Sequence, residues 1–227
     1  MTNIAENIAS ISQEIRALER DSQRPEGCVT LLAVSKRHSS AKIREAAAAG
    51  QTHFGENYLQ EAESKIADLA ELNLVWHFIG PIQSNKTRGI AALFDWVHSV
   101  DRLKIAQRLS DQRPADAQPL NICVQVNVSH EASKSGVSDE EVVALCSQID
   151  GLPNIRLRGL MAIPEALDDP AAQRASFRQL ASLFQSLQEK HASMDTLSMG
   201  MSNDFAAAIA EGSTMVRIGT AIFGSRD

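Results

Sequence analysis

The sequence predicts an α/β fold: a single-domain (β/α)8 TIM barrel with an extra N-terminal helix. Three observations carry this. Eight short apolar segments alternate with helical patterns, the signature of parallel sheet with right-handed crossovers. A chain of 227 residues has room for eight such units and little more. No Pro- or Gly-rich linker divides it, so residues 1–227 are expected to form one domain. An open doubly wound sheet would carry a Gly-rich phosphate loop after an early strand, and neither G-x-G-x-x-G nor a Walker motif occurs.

The elements follow in order. Ile4, Ile8, Ile11, Ile15 and Leu18 fall on one helical face, which suits a helix covering one end of the core. Val29 to Lys36 reads as a strand. Ala41 to Ala49 reads as a helix, with Ser40 as N-cap and Gly50 past its end. Thr52 to Phe54 is a weak strand before a helix over Glu56 to Leu72. Val75 to Ile79 is a strand, then a helix over Asn85 to Leu93. Trp96 to Val100 is a strand, and Asp101 caps a helix to about Gln112. Leu120 to Val128 is a strand. Ser138 to Glu141 forms a capping box for a helix ending near Ile149. Ile155 to Met161 is a strand, followed by a long helix from Ala171 to His191 with Phe177, Leu180, Phe184 and Leu187 on one face. Thr196 to Met199 is a strand, Asn203 to Ala210 a helix, and Met215 to Ile218 the last strand.

Composition narrows the function. With 44% hydrophobic and 22% charged residues the chain is ordinary for a globular protein. Its net charge of -6 and short basic clusters argue against nucleic acid as a partner. Cys28, Cys123 and Cys146 are odd in number and scattered, which argues against a disulfide framework and a thiolate zinc site. No H-E-x-x-H occurs, so no metal is expected. No apolar run of about 18 residues exists, so no membrane span is expected. MTNIAENIAS lacks the regions of a signal peptide. A soluble cytoplasmic protein is expected.

In a barrel, reactive groups sit at the carboxyl ends of strands. Lys36, His77, Asn127, Met161 and Arg217 fall at or near such ends. Strand parity turns Arg217 inward, away from Val216 and Ile218. First and last strands are neighbours in a closed barrel, so Lys36 and Arg217 could share one mouth. At about 6 Å and an effective dielectric of about 20, their repulsion is about 3 kcal/mol. That favours a neutral lysine amine, the form that attacks a carbonyl. The alternative is an arginine holding a structural carboxylate.

Two further stretches converge on an anion. In S-M-G-M-S-N-D, Gly200 permits a tight turn and Ser202 starts a helix whose free N–H groups favour negative charge. In R-I-G-T-A-I-F-G, Gly219 allows close backbone approach and Thr220 adds a hydroxyl. These loops follow the seventh and eighth strands, where barrels commonly hold phosphate. Alternatively, Ser202 only caps its helix and Gly219 only turns the chain. His77 reads as an inward core histidine with one hydrogen bond. Asn57 in G-E-N-Y either bonds a ligand oxygen or caps a turn. Lys134 in S-K-S-G reads as solvated.

These stretches resemble the YggS/PROSC family, the pyridoxal phosphate homeostasis proteins. The resemblance runs from the first helix nearly to the end of the chain. It includes L-L-A-V-S-K at Lys36, F-G-E-N-Y, W-H-F-I-G-P-I-Q-S-N-K, R-G-L-M-A-I, S-M-G-M-S-N-D and V-R-I-G-T-A-I-F-G. It implies a barrel like the N-terminal domain of alanine racemase, with pyridoxal 5′-phosphate bound as an aldimine to Lys36. Ser202, Gly219 and Thr220 would hold the phosphate, Arg217 would face the pyridine nitrogen and Asn57 would lie beside the ring. It implies a protein without robust catalysis, serving vitamin B6 and amino-acid homeostasis, with pyridoxal-dependent apoenzymes as possible acceptors. A monomer is expected, because one barrel domain lacks the second domain that supplies the usual racemase dimer contacts. Where relatives often carry a second lysine after the first, this chain has Arg37-His38. The alternatives are a pyridoxal-dependent racemase or lyase, and a cofactor-free Schiff-base aldolase.

Overall fold

The computed structural model describes residues 3–128, 135–164 and 169–225. Lys134 lies outside the described residues. Eight parallel strands close into a barrel in simple sequence order. They are β1 (Thr30–Val34), β2 (His53–Glu56), β3 (Val75–Phe78), β4 (Trp96–Val100), β5 (Leu120–Gln125), β6 (Ile155–Met161), β7 (Thr196–Ser198) and β8 (Met215–Ile218). β8 pairs back onto β1, with Leu32 opposite Arg217 and Ala33 opposite Ile218.

The surrounding helices are α1 (Ile4–Asp21), α2 (Ser40–Ala48), α3 (Leu59–Asp68), α4 (Thr87–Leu93), α5 (Leu103–Gln112), α6 (Asp139–Asp150), α7 (Pro170–Gln188), α8 (Phe205–Ala210) and α9 (Thr220–Phe223). A 3₁₀ turn over Ser84–Lys86 leads into α4. Strands covered on both faces need apolar residues throughout. The main core accordingly fills the shell between sheet and helices, from Leu31 and Phe54 to Phe177 and Val216. α1 buries Ile4, Ile8, Ile11 and Ile15, the face its spacing predicted. Inside the barrel the apolar residues Trp96, Cys123 and Met161 form a separate small cluster. Burial pushes the Cys146 thiol up to about 12 and the Cys123 thiol higher still, so both sulfurs act as small hydrophobes.

Local hydrogen bonding explains where the elements depart from expectation. Ser39, not Ser40, caps α2, accepting from the Lys42 N–H. β2 runs on through Glu56, which delays α3 to Leu59. Asp101 does not cap α5; it pairs with Arg102 at 2.6 Å. The capping box of Ser138 and Glu141 opens α6 as the sequence indicates. α8 starts at Phe205 with Asp204 at its N-cap, so Ser202 lies in the preceding turn rather than capping the helix. The short α9 was not expected; Gly219 leads into it and Gly224, at φ 83°, ends it. Among the described residues, no helix is long and apolar enough to cross a membrane.

Candidate functional site

β1 delivers Lys36 two residues beyond its end, half-buried in a turn. The residues on either side are tied down. Ser35 is fully buried, and its Oγ donates to Glu56 Oε1 at 2.7 Å. The Ser35 carbonyl accepts from Lys65 Nζ at 2.8 Å. The Arg37 N–H donates to Glu61 Oε1 at 2.5 Å. Arg37 stands at φ 62°, a left-handed conformation that costs a non-glycine residue free energy and persists only where the surroundings enforce it.

That enforcement comes from an ion cluster beneath the turn. Lys65 is 5% exposed and donates to Glu56 Oε1 at 2.7 Å and Glu61 Oε1 at 2.6 Å. Burial raises the Glu56 carboxyl above the usual range, while the Lys65 ammonium pulls it back. Glu56 and Glu61 bracket the start of α3, and Lys65 lies one turn beyond Glu61 on the buried face of that helix. A cation and two carboxylates therefore join β1, β2 and α3 around Lys36. Sequence reasoning missed all three. The available signal was the stripe Leu59, Ala62, Lys65, Leu69, in which a lysine takes a core-facing helical position.

β8 turns Arg217 into the barrel, as its parity indicated. Among the described residues its hydrogen bonds go to no carboxylate. Nη1 donates to the Ser198 carbonyl at 2.7 Å and to Ser198 Oγ at 2.9 Å, and Nη2 donates to the Ala162 carbonyl at 2.9 Å. These acceptors lie at the carboxyl ends of β6 and β7, so the guanidinium sits at the mouth. Burial lowers its pKa to about 10, partly offset by the Asp204 carboxylate, and it stays a cation at neutral pH. His77 is fully buried and makes two ring-nitrogen hydrogen bonds rather than the single one expected: with His53 and with His98, each at 2.9 Å.

The loop after β8 meets the tip of β1. A Cβ on Gly219 would stand 3.2 Å from the Val34 carbonyl oxygen, and the Phe223 ring stacks on His38 at 5.0 Å. Val34 and His38 flank Lys36 in sequence by two residues on each side, so β8 and α9 border the lysine turn. The Arg217 N–H donates to the Gly200 carbonyl at 2.9 Å, joining β8 to the loop after β7. Gly200 has φ 95°, and a Cβ there would lie 2.6 Å from the Ala208 methyl. Ile222 and Phe223 N–H groups return to Gly219, leaving those of Thr220 and Ala221 with no acceptor inside α9. Ser202 and Gly219 are half-buried and Thr220 is exposed.

Asn57 follows β2 at the mouth. Its Oδ1 is buried and has no hydrogen-bond partner among the described residues. It borders a cleft of about 280 Å³ shared with Ile79, Pro81, Gln125, Ser135 and Ile163. Gly80 lets the next loop pack closely, because a Cβ there would fall 2.1 Å from the Asn57 carbonyl oxygen. Asn127 lies two residues past β5, its N–H held by the Val137 carbonyl at 2.9 Å. Met161 ends β6 inside the barrel.

The alanine racemase N-terminal domain family matches residues 6–227, and the chain belongs to that family. Its relatives sharpen the assignment. A pyridoxal phosphate homeostasis protein of Pseudomonas aeruginosa is 61% identical over 227 residues, covering 100% of this chain and 97% of that one. One from Vibrio alginolyticus is 54% identical over 231 residues, covering 100% and 99%. The solved structure of PipY from Synechococcus elongatus with PLP bound is 40% identical with a TM-score of 0.84, covering 97% of this chain and 100% of that chain. Within the wider family, then, the chain is one of the pyridoxal phosphate homeostasis proteins.

Proposed function

We propose that this protein binds pyridoxal 5′-phosphate through Lys36 and serves its homeostasis in the cell, without robust turnover of its own. The observation that carries the reading is the convergence at one mouth: a lysine turn fixed from both sides, a glycine turn after β8 that borders it, and a buried cation on β8 whose N–H ties in the glycine turn after β7. The orphaned Asn57 Oδ1 is a second indication, since a buried acceptor left unpaired costs about 1–3 kcal/mol unless a ligand satisfies it. The donor set fits the ligand. Thr220, Ser202 and the N–H groups at Gly219 and Thr220 would hold the phosphate, Arg217 would face the pyridine nitrogen, and Asn57 would lie beside the ring.

When bound, the cofactor would supply an aldehyde, the group that a neutral lysine amine attacks. What the chain supplies is position. The cluster of Glu56, Glu61 and Lys65 fixes the backbone around Lys36, and Lys65 itself is occupied by three acceptors. Arg217 remains a donor at neutral pH and has no proton-accepting group to offer a pyridine nitrogen. A neutral ring is a poor electron sink, which supports carriage rather than amino-acid chemistry. The single tyrosine, Tyr58, is 49% exposed, which does not suit a base held against a substrate. A monomeric cytoplasmic carrier, with pyridoxal-dependent apoenzymes as acceptors, is the form this reading takes. Deuterium exchange at the α-carbon of common amino acids tests it: the loaded protein exchanges none, and exchange lost in Lys36→Ala would establish a racemase or lyase instead.

A further inference from the structure

Polar side chains cross the barrel interior in single file. Arg217 Nη1 lies 2.9 Å from Ser198 Oγ. Ser198 Oγ lies 3.0 Å from His98 Nδ1, His98 Nε2 lies 2.9 Å from His77 Nδ1, and His77 Nε2 lies 2.9 Å from His53 Nδ1. Ser198, His98 and His77 have no exposure, and His53 is half-buried. The file starts at the mouth. It ends beside a separate cavity of about 230 Å³ at the amino-terminal face, bordered by Thr30, His53, Thr196 and Thr214.

Donor and acceptor chemistry gives the file one direction. A guanidinium only donates, so the Ser198 oxygen accepts from Arg217. The serine hydrogen then goes to its other neighbour, His98 Nδ1. A neutral imidazole that accepts at Nδ1 carries its proton on Nε2, so His98 donates to His77 Nδ1. By the same step His77 donates to His53 Nδ1, and His53 carries its own proton on Nε2. The reverse direction would leave the buried serine hydrogen without an acceptor, at about 1–3 kcal/mol. Charging the file is also disfavoured. Burial and Arg217 push His98 down to about 3, and burial together with the other two rings holds His77 well below the ordinary value. Trp96 stacks on His77 at 5.4 Å with the Arg158 guanidinium 4.6 Å from the Trp96 ring centroid, and the carboxylates that act on the file do so at its two ends, Asp204 at Arg217 and Asp95 at His53.

We propose that His98, His77 and His53 are positioning residues for Arg217: a neutral file, locked in the Nε2–H tautomer, that orients the Ser198 hydroxyl and thereby aims the guanidinium at the mouth. The consequence for cofactor binding rests on the function proposed above. The fixed direction explains why three histidines occupy a space that barrels usually fill with Val, Ile and Leu. The serine oxygen can only receive from Arg217, so the guanidinium cannot turn away without leaving that oxygen unpaired.

Nitrogen-15 NMR of the histidine rings, in the full chain without cofactor, tests the lock directly. The expected result is an unprotonated Nδ1 and a protonated Nε2 at residues 53, 77 and 98 from pH 6 to 8. An imidazolium or an Nδ1–H tautomer at His98 overturns the proposal. His98→Phe keeps the ring shape and removes both nitrogens; His98→Gln restores an acceptor and a donor in the same order. In His98→Phe the Arg217 side-chain N–H groups should exchange with solvent at least tenfold faster, and His98→Gln should restore protection. Equal protection in all three proteins overturns the proposal, whether or not the wild type takes up pyridoxal phosphate. If it does take it up, affinity should fall about tenfold in His98→Phe and recover in His98→Gln. A wild type that takes up none refutes the functional reading while the exchange result still decides the file.

Discussion

Lys65 Nζ stands 2.7 Å from Glu56 Oε1, with the two side chains 6% and 0% exposed, directly beneath the turn that carries Lys36. A buried ion pair of this kind is weak evidence for stability, because desolvating two charges offsets most of their attraction. Removing one partner is a different matter. Lys65→Met leaves two carboxylates without their cation and should destabilise the protein by about 3–5 kcal/mol, measured by urea unfolding. Adding Glu56→Gln to that variant should recover part of the loss. Equal stability of Lys65→Met and wild type would show that the cluster does not hold the turn.

Asn57→Leu should act with opposite signs on stability and binding. It removes a buried, unpaired carbonyl oxygen, so the cofactor-free protein should gain about 1 kcal/mol. The same change should weaken pyridoxal phosphate binding about tenfold, since the ligand loses that acceptor. Thermal unfolding and equilibrium dialysis on one preparation check both. A loss of stability without cofactor would mean that Asn57 already has a partner.

Two glycines should rank differently. Gly200→Ala places a methyl 2.6 Å from Ala208 at φ 95° and should cost about 2–3 kcal/mol. Gly219 has an ordinary negative φ, and its added methyl meets the Val34 carbonyl oxygen at 3.2 Å. Gly219→Ala should therefore cost about 1 kcal/mol of stability and show chiefly as weaker phosphate binding. Unfolding midpoints and inorganic phosphate competition against the cofactor separate the two.

The architecture was open to sequence reasoning because each strand and helix announces itself locally. The isoleucine face of α1, the Ser138 capping box and the parity of Arg217 are all visible within a few residues. The polar supports were harder to see. Glu56 and Lys65 meet across a strand and a helix, and Ser198 meets His98 across 100 positions of sequence. Such contacts follow from closing the barrel and leave no local pattern. Lys65 alone gave a hint, as a charge on an apolar stripe. Ser202 was displaced from its expected cap because Asp204, two residues on, took the N-cap position.

The histidine file should shape the acid limb of stability. His98 is held at about 3 against an ordinary 6.5, so the folded state binds fewer protons than the unfolded state between those values. Its contribution is complete above about pH 6.5 and is lost as pH falls towards 3. His77 and His53, also lowered, act in the same direction. Urea unfolding from pH 7 to 4 should show a steeper fall for wild type than for His98→Gln, by up to about 1.4 kcal/mol per pH unit. Parallel curves would mean that His98 is already charged or already exposed.

Mass spectrometry after borohydride reduction locates the lysine that holds the cofactor. Wild-type protein is mixed with pyridoxal 5′-phosphate, reduced, digested and mapped. One pyridoxyl group per chain is expected, on Lys36, with none on Lys65 and none gained elsewhere when Lys36 is replaced by alanine. Reduction of the wild type that leaves Lys36 unmodified, or that marks another lysine to the same extent in Lys36→Ala, would contradict it.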